Sequence, residues 1–396
     1  MASALKNIIV VGGSYVGKST AQELARVVPN THRVLLIESH SHFHHLFAFP
    51  RFAILPGHEH KAFIPYSSLF SSAPNPTNHA VIQARVLSVQ PHHVKLDREW
   101  QGSVRIPFEY LVVATGTRLS EPAGMRDNDK VSSVAYLQKH QEDIKNAKSI
   151  LIIGGGAVGV QMATDLKEYY PAKEVTVVQS RPHLMPQYHP RLHELIKERF
   201  DELGIKFITG SRVQVPQPGF PRTTPFKVRL TDGTVLPSQY DFVILATGQT
   251  PNNDLLADLS SSSEGLLNPS NGFIRIRPTM QFLDEKYPHL YAAGDIADTG
   301  LRKAARPGAA QAAAVVKNIL AMIEGRQPVE EYPRAPAGIH LTLGLKYNVV
   351  FRNPNEAEGQ TEPTIIRRDD GREDMGVEAW WERLGMAVNE RQQYHL

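Results

Sequence analysis

Unbroken runs of apolar residues, more than alternating ones, mark the strand candidates of this chain. Strands that are buried on both faces of a parallel sheet have this pattern, because helices cover both sides. Segments between several of the runs have helical periodicity, and this alternation favours a doubly wound α/β architecture. The main runs are Ile8–Val11, Val34–Ile37, Tyr110–Val113, Ile150–Ile153, Val175–Val178, Phe242–Leu245 and Leu290–Ala293.

Two of these runs lead into glycine-rich turns. The first turn reads Gly-Gly-Ser-Tyr-Val-Gly over residues 12–17, and the second reads Gly-Gly-Gly-Ala-Val-Gly over residues 154–159. A glycine turn between a buried strand and a helix lets backbone N–H groups lie against a pyrophosphate at the helix N-terminus. Two such units predict two dinucleotides, and the simplest chemistry for the pair is electron transfer from a nicotinamide to a flavin.

The first turn also fits a different nucleotide site, because residues 12–19 match the P-loop pattern G-x-x-x-x-G-K-[ST]. Glu38 favours the dinucleotide interpretation, since it ends the second strand, where an acidic residue binds a ribose hydroxyl. A P-loop NTPase needs a later strand that ends in Asp to hold magnesium. The apolar strands here run instead into Ala-Thr-Gly at 114–116 and 246–248, so Lys18 is interpreted as an ordinary helix-face residue.

The repeated elements predict a duplicated module. Each unit has a glycine turn, a second strand and a later strand before Ala-Thr-Gly, and Gly294-Asp295 returns late to the first unit. We predict an α/β fold with two Rossmann-like dinucleotide-binding domains, the second inserted in the first, plus a small C-terminal α+β region. The expected boundaries are 1–118 and 284–330 for an FAD-binding domain, 119–283 for an NAD(P)H-binding domain, and 331–396 for the C-terminal region.

Composition narrows the chemistry further. The chain has 396 residues, a net charge of +3 and no cysteine. Without cysteine there is no disulfide, thiolate metal site or redox-active dithiol, so a bound flavin would pass electrons directly to a substrate. The small charge gives no reason to expect a nucleic-acid partner, and no apolar stretch reaches the length that a bilayer requires. Because residues 1–6 lead straight into the first strand and residue 2 is Ala, we expect no signal peptide, no myristoylation and a cytoplasmic location.

The ordered set of glycine turns, Ala-Thr-Gly segments and Ala293-Gly294-Asp295 resembles that of the two-dinucleotide flavoprotein reductases. Over about residues 5–350, further segments are similar to the apoptosis-inducing-factor-like and ferroptosis-suppressor-like proteins, and fungal members of that group are the most similar. The segments that carry this closer likeness are Ser41–His45 with Arg51, Lys61–Tyr66 and Lys167–Thr176.

The resemblance implies that the first turn and Glu38 hold FAD and that the second turn holds the nicotinamide cofactor. It places Arg51 and Lys61 near the flavin, where a cation would stabilise the reduced ring. Ser14 replaces the middle glycine of the first turn, although its hydroxyl can itself contact phosphate. The residues implied for FAD are Gly12, Gly13, Ser14, Gly17, Glu38, Arg51, Lys61, Thr115, Gly116, Gly294 and Asp295, and those for NAD(P)H are Gly154, Gly156, Gly159, Arg181, Thr247 and Gly248.

Candidate catalytic groups follow from the same comparison. His44 or His45 is a candidate proton donor to a reduced substrate, and the alternative is packing under the flavin ring. Gln161 stands where relatives commonly have Glu, and it could orient an amide by hydrogen bonding. With Lys61, these are the four candidates. No metal site is expected, because imidazoles on the short loop 40–45 rarely converge on one ion.

The choice of nicotinamide cofactor depends on the residues that follow Val178. An acidic residue there would accept from a ribose 2′-hydroxyl and repel a 2′-phosphate. The chain has Gln179, Ser180 and Arg181 instead, so we expect NADPH to be favoured over NADH. The alternative is that Arg181 is only a solvated surface residue.

These observations predict an FAD-dependent NAD(P)H oxidoreductase that passes hydride from the nicotinamide to the flavin, and then electrons to a quinone or another small conjugated acceptor. The alternatives are an NAD(P)H-binding redox sensor and a substrate-specific flavin enzyme of secondary metabolism. Trp380, Trp381, Leu384 and Met386 form an apolar cluster whose polar surroundings are not rich in Lys or Arg. This favours docking onto the flavin domain or a second subunit, as in a homodimer, over a peripheral membrane contact.

Overall fold

The computed structural model describes residues 5–396 except 218, 222–223, 263–264, 302 and 304. The first domain is built on a five-stranded parallel sheet. From one edge to the other, its strands are β19 (Leu290–Ala292), β9 (Tyr110–Val113), β1 (Lys6–Val11), β2 (His32–Glu38) and β5 (Ala80–Gln83). The long apolar runs form its central strands, whose residues are almost all inaccessible to solvent. The elements up to the first exit from this domain are β1 (Lys6–Val11), α1 (Tyr15–Val27), β2 (His32–Glu38), β3 (His42–His44), α2 (Phe49–Phe52), β4 (Phe63–Pro65), β5 (Ala80–Gln83), β6 (Val86–Gln90), β7 (His93–Trp100), β8 (Ser103–Pro107) and β9 (Tyr110–Val113).

The second domain repeats this plan on a smaller parallel sheet with the order β13-β12-β11-β16. Its central strand β11 pairs with β12 and β16, just as β1 pairs with β2 and β9. The elements are β10 (Thr117–Leu119), α3 (Lys130–Asn146), β11 (Ser149–Ile153), α4 (Ala157–Tyr169), β12 (Glu174–Val178), α5 (Arg191–Leu203), β13 (Lys206–Ile208), β14 (Phe226–Arg229), β15 (Val235–Tyr240), β16 (Phe242–Leu245) and β17 (Gln249–Pro251).

The two crossings between the domains pair with each other. β10 leaves the first domain and β17 returns to it, and the two form an antiparallel ribbon. Thr115 and Asn252 fasten its end, since the Thr115 hydroxyl donates to the Asn252 carbonyl at 2.7 Å and the Asn252 amide donates to the Thr115 carbonyl at 2.9 Å. The insertion expected from the sequence is therefore confirmed by the strand pairing.

The return to the first domain occurs earlier than residue 284, the boundary expected from the sequence. Leu255, Leu256 and Phe282 lie in the same buried cluster as Leu111 and Tyr291 of the first sheet. The chain between β17 and residue 284 consists of short irregular segments, so no continuous apolar run in the sequence indicated this earlier return. The domain is completed by β18 (Ile274–Arg275), β19 (Leu290–Ala292), β20 (Ala297–Asp298) and α6 (Ala305–Ile323).

The C-terminal region packs against both domains. Its antiparallel sheet places Leu341 and Phe351 in the core of the second domain. Its helix instead docks on the first domain, where Trp381 and Leu384 are fully buried and the Trp381 indole donates to the Lys61 carbonyl at 2.9 Å. No helix in the described part of the chain has the length and apolarity to span a bilayer. The elements are β21 (Gly338–Thr342), β22 (Asn348–Arg352), β23 (Thr364–Arg368) and α7 (Glu378–Arg383).

Candidate cofactor-binding sites

The first glycine turn has no room for side chains. Gly12 has a φ of +101°, and a Cβ added there would lie 2.5 Å from the Ala114 carbonyl oxygen. A Cβ at Gly17 would overlap the Gly12 carbonyl oxygen. Only glycine allows α1 to begin so close to the ends of β1 and β9, and this closeness brings the N-terminus of α1 to the edge of the sheet.

The N-terminus of α1 is suited to an anion. Ser14 is its N-cap, but the Ser14 side chain makes no capping hydrogen bond, and the first turn of the helix contains no acidic residue. The first N–H groups of a helix lack partners within the helix, and the helix dipole adds positive potential there. The hydroxyl and backbone of Ser14 are therefore free to meet a pyrophosphate, and their contact with FAD stays a prediction.

Glu38 lies beside this turn at the end of β2. One carboxylate oxygen accepts from the Gly13 N–H at 2.5 Å, and the other accepts from the backbone N–H and the ring Nδ1 of His40. Burial alone would raise the pKa of this carboxyl, but the hydrogen bonds and charge of His40 and the Gly13 N–H lower it to about 2. The oxygen that contacts Gly13 keeps a second lone pair for a ribose hydroxyl.

The second glycine turn repeats this geometry with one chemical change. A Cβ at Gly159 would overlap the Gly154 carbonyl oxygen, whereas a Cβ at Gly156 would meet nothing within 4 Å. The open space at Gly156 is a cradle that a ligand can enter. Gly155 donates its N–H to the Gln179 side-chain oxygen at 3.2 Å, as Gly13 does to Glu38, so a neutral amide occupies the place of the carboxylate.

The Ala-Thr-Gly segments occupy matching positions in the two domains. Gly116 and Gly248 have φ values of +61° and +57°, and a Cβ at either would meet nothing within 4 Å. Both backbones are therefore open to a ligand. Thr115 uses its hydroxyl in the ribbon, and the Thr247 carbonyl accepts from Ser120 at 3.2 Å. The structure thus places Thr115 and Gly116 at the first glycine turn and Thr247 and Gly248 at the second. The Thr115 hydroxyl, however, already donates to Asn252.

Asp295 is carried to the first turn by the late return of the chain. Gly294 has a φ of +77° and lies against Val16 of α1, and its N–H donates to the Gln311 side chain at 2.7 Å. Burial raises the pKa of the Asp295 carboxyl, and the charge of Lys303 opposes this. The structure therefore brings the Gly294-Asp295 segment to α1, and the contact of Asp295 with FAD stays a prediction.

The histidine loop packs beside the first turn, where His45 meets Trp380 and Tyr15, and the sequence analysis gave Tyr15 no role. The Tyr15 hydroxyl and His45 Nδ1 are 2.8 Å apart, and the Trp380 ring lies 5.0 Å from the His45 ring. Burial, followed by the charge of Arg383, lowers the pKa of His45 to about 3, so His45 is neutral at pH 7. Tyr15 lies within the glycine motif, which is the one sequence signal that could have indicated its place.

His44 is more deeply enclosed. Its ring lies 4.1 Å from that of His40 and 5.1 Å from that of Phe63, and its Nε2 has no hydrogen-bond partner among the described residues. Burial holds the pKa of His44 well below its usual value. A neutral imidazole can still donate one N–H, so both histidines stay candidates for the proton-transfer role.

The side chains of Lys61, which the resemblance placed near the flavin, and Lys18, which belongs to the P-loop-like pattern, point away from the first turn. The Lys61 ammonium lies 3.1 Å from His58 Nδ1 and 5.5 Å from the centre of the Tyr394 ring, so it faces the C-terminal segment. The Lys18 ammonium donates to Gln22 at 3.0 Å on the side of α1. Burial, and then the charge of Arg383, lowers the pKa of Lys18 to about 8.

The contacts of Arg51 do not support the expectation that its side chain lies near the flavin. It is fully buried, and its Nε and one terminal nitrogen donate to Asp165 of α4 at 2.9 and 2.8 Å. Its remaining N–H groups donate to the carbonyls of Gly344, Leu345 and Arg372. All five N–H donors of the guanidinium are thereby used, which leaves none for a cofactor. We call Arg51, Asp165, Gly344, Leu345 and Arg372 the interdomain junction.

Gln161 lies one helical turn before Asp165 on α4. Burial raises the pKa of Asp165, and the charge and hydrogen bonds of Arg51 oppose this. The Gln161 amide nitrogen is buried and has no hydrogen bond of good geometry among the described residues, although the Gln161 side chain helps to lower the pKa of the neighbouring Asp165. An amide in this position has donor capacity to offer a ligand bound at the second turn.

Taken together, the paired sheets, the two glycine turns and the connecting ribbon define a flavoprotein oxidoreductase with two dinucleotide-binding domains. Residues 6–315 match the family model described as pyridine nucleotide-disulphide oxidoreductase, and the chain belongs to this family. FAD and a pyridine nucleotide are the cofactors of such proteins, and the two glycine turns fit them. We call these turns, residues 12–17 and 154–159, the two cradles.

Known relatives agree with this assignment. The chain is 33% identical over 405 residues to Fe-regulated protein 8 of Mycosarcoma maydis, with 97% of this chain and 96% of the relative covered. It is 28% identical over 347 residues to ferroptosis suppressor protein 1 of Mus musculus, with 85% and 86% covered. The sulfide:quinone oxidoreductase of Aquifex aeolicus has the same fold, with a TM-score of 0.74, 19% identity, and 98% of this chain and 94% of that chain covered.

Proposed function

We propose that this protein uses FAD to oxidise NAD(P)H and transfers the electrons to a quinone or another small conjugated acceptor. The observation that carries the proposal is the pair of equivalent cradles, at Gly12–Gly17 and Gly154–Gly159, in a chain without cysteine. When bound, the nicotinamide supplies hydride and the flavin accepts it and passes on electrons. The family name refers to disulphides, but this chain has no cysteine pair to receive electrons.

The surface beside the first turn supports a flat acceptor. Phe47 is 49% exposed, and its ring stacks on Tyr15 at 4.6 Å. Trp380 packs edge-on against Tyr15 at 4.9 Å. Aromatic rings favour offset or edge-to-face contacts with one another, so this wall suits a planar conjugated ring. The Tyr15 hydroxyl and the neutral His45 are positioned beside it as candidate proton donors.

The second cradle supports NADPH as the preferred nucleotide. Gln179 replaces the acidic residue that would bind a ribose 2′-hydroxyl and repel a phosphate. Arg181 is exposed, and its side chain has no hydrogen-bond or ionic partner within the described residues. A free guanidinium two residues beyond Gln179 can bind a 2′-phosphate with paired donors.

The purified protein is expected to be yellow and to contain about one FAD per chain, since the chain has one cradle paired with Glu38. The absorption spectrum measures this, and anaerobic titration with NADPH and then NADH should bleach the flavin band. Addition of a soluble quinone should restore the band. Protein that takes up no FAD but hydrolyses ATP with magnesium would contradict the proposal and favour the P-loop interpretation.

Arg181→Ala is expected to lower kcat/KM for NADPH relative to NADH by roughly tenfold to a hundredfold, since a charged hydrogen bond contributes about 1.5–3 kcal/mol. Steady-state kinetics with both nucleotides measure this change. Arg191→Ala, which removes an exposed arginine at the start of α5, is the matched control and should leave the ratio unchanged. Equal losses with both nucleotides would show that Arg181 does not recognise the phosphate.

A further inference from the structure

We propose that Arg51 and Asp165 are positioning residues that fix how the two dinucleotide-binding domains face each other, and that they thereby align the two cofactor sites for hydride transfer. This inference rests on the proposed function. It concerns the interdomain junction, which lies outside both cradles. Of its five residues, the sequence analysis had assigned only Arg51 to the flavin.

The junction joins three parts of the molecule through one side chain. Arg51 belongs to α2 of the first domain, and Asp165 belongs to α4 of the second. The carbonyls of Gly344, Leu345 and Arg372 belong to the C-terminal region. Both side chains of the ion pair are completely buried, so bulk water does not compete for their hydrogen bonds.

Each partner lies on an element that also leads to a cradle. α4 begins at the second glycine turn, and Gln161, which interacts with the Asp165 carboxyl, lies one turn before Asp165. α2 follows His45, which contacts Tyr15, the first residue of α1 after the first glycine turn. The ion pair therefore connects the two turns by a short path through packed elements.

Stability alone is a poor explanation of this pair. Replacing a buried ion pair by apolar residues of similar size is often neutral or stabilising, because burial of two charges is costly. What the guanidinium adds is direction, since its five donors lie in one plane and require acceptors at fixed positions. The contacts around the guanidinium are apolar. Phe49 and Phe52 of α2, for example, pack into the core of the second domain, and such contacts can slide as packed elements do in shear motions.

Alignment of this kind has a large kinetic effect. Reacting atoms must approach to about 3–3.5 Å, and a misplacement of about 1 Å from a distant mutation can slow a reaction about a hundredfold. Arg51→Lys keeps the charge and removes the planar set of donors. We expect it to retain FAD and to bind NADPH with a Kd within about threefold of the parent, but to lower the rate constant of anaerobic flavin reduction by about tenfold to a hundredfold.

A second readout reports on the domains without any turnover. Because the chain has no cysteine, Glu99→Cys and Asp201→Cys place one spin label on an exposed site of each domain with no background labelling. Pulsed electron resonance then gives the distance distribution between the labels. Arg51→Lys should broaden or shift this distribution. Asp165→Asn keeps the side-chain size and removes the charge, and it should change the distribution in the same way. If Arg51→Lys does not fold, Asp165→Asn takes its place in the experiment.

Arg199→Lys is the matched control. Arg199 also bonds to an acidic residue of α4, Glu168, and to a C-terminal carbonyl, that of Leu343. Glu168 in turn accepts from the Leu345 N–H at 2.6 Å, so this control reaches the same C-terminal segment, but within the described residues Arg199 makes no hydrogen bond to the first domain. It should change neither the distances nor the rate constant. An unchanged distance distribution in Arg51→Lys, an unchanged rate constant, or equal slowing in Arg199→Lys would overturn the inference. A parent flavin that neither nucleotide reduces would refute the proposed function instead, and the distances would then decide the role of the pair alone.

Discussion

Protein with Gly17→Ala is expected to purify with little or no flavin. The added Cβ would overlap the Gly12 carbonyl oxygen and lie 3.1 Å from the Ala114 Cβ, both held by buried strands. Helix α1 can relieve this only by moving away from the sheet, which withdraws its N-terminal N–H groups from the pyrophosphate site. We expect a loss of about 3 kcal/mol in the free energy of unfolding, at the upper end for overpacking. Flavin absorbance and thermal unfolding measure the two effects.

Gly159→Ala supplies the comparison in the other domain, because its Cβ would overlap the Gly154 carbonyl oxygen in the same way. This variant should remain yellow, yet NADPH and NADH should fail to bleach it. Gly156→Ala has room for its Cβ, so it should fold as the wild type does and weaken nucleotide binding only. Loss of FAD from Gly159→Ala but not from Gly17→Ala would show that the two cofactor assignments are reversed.

Glu38→Ala is expected to weaken FAD binding by about 1–3 kcal/mol, the usual result of leaving buried polar partners unmatched. In the structure those partners include the Gly13 and His40 N–H groups as well as the expected ribose hydroxyl. The Kd of FAD for deflavinated protein measures the change. Unchanged affinity in Glu38→Ala would remove Glu38 from the site.

The same residue gives the protein a defined acid sensitivity. Its pKa is about 2 in the folded protein against an ordinary value of 4.5, so the carboxylate stabilises the folded state above about pH 4.5. This contribution is lost progressively as the pH falls from about 4.5 towards 2. Unfolding free energies of the wild type and Glu38→Gln measured from pH 6 to pH 2, a range of about 4 pH units, should converge as the pH falls. Curves that stay parallel would contradict this assignment.

The sequence predicted the parts of this molecule that local chemistry determines. The runs that become β1, β2, β11 and β12 are buried on both faces, and their apolar character does not depend on distant partners. The same is true of Gly12 and Gly154, whose positive φ values follow from the turn itself. Glu38 and Gln179 could be compared in advance because Glu38 ends the second strand of its unit and Gln179 directly follows the second strand of the other.

Contacts over long sequence separation could not be predicted in this way. Arg51 and Asp165 are 114 residues apart, and nothing near either one indicates the other. The family resemblance implied that Arg51 lies near the flavin, but in the folded chain its side chain points towards α4. Trp380 reaches Tyr15 and Phe43 only because the C-terminal region folds back onto the first domain. Sequence patterning indicated an apolar cluster that docks on the flavin domain or on a second subunit, but not the individual residues that it contacts.

The β10–β17 ribbon has a consequence for how the second domain is held. Its two strands are hydrogen-bonded neighbours, from Thr117 with Pro251 to Leu119 with Gln249, so the chain enters and leaves the domain at one place. The inserted domain is therefore attached as a long loop would be, with its two ends side by side. A short turn that joins residue 119 to residue 249 would close the ribbon as a hairpin, and the excised segment 120–248 would have adjacent ends. Modular exchange of one nucleotide-binding domain for another thus needs no change in the strand order of the first sheet.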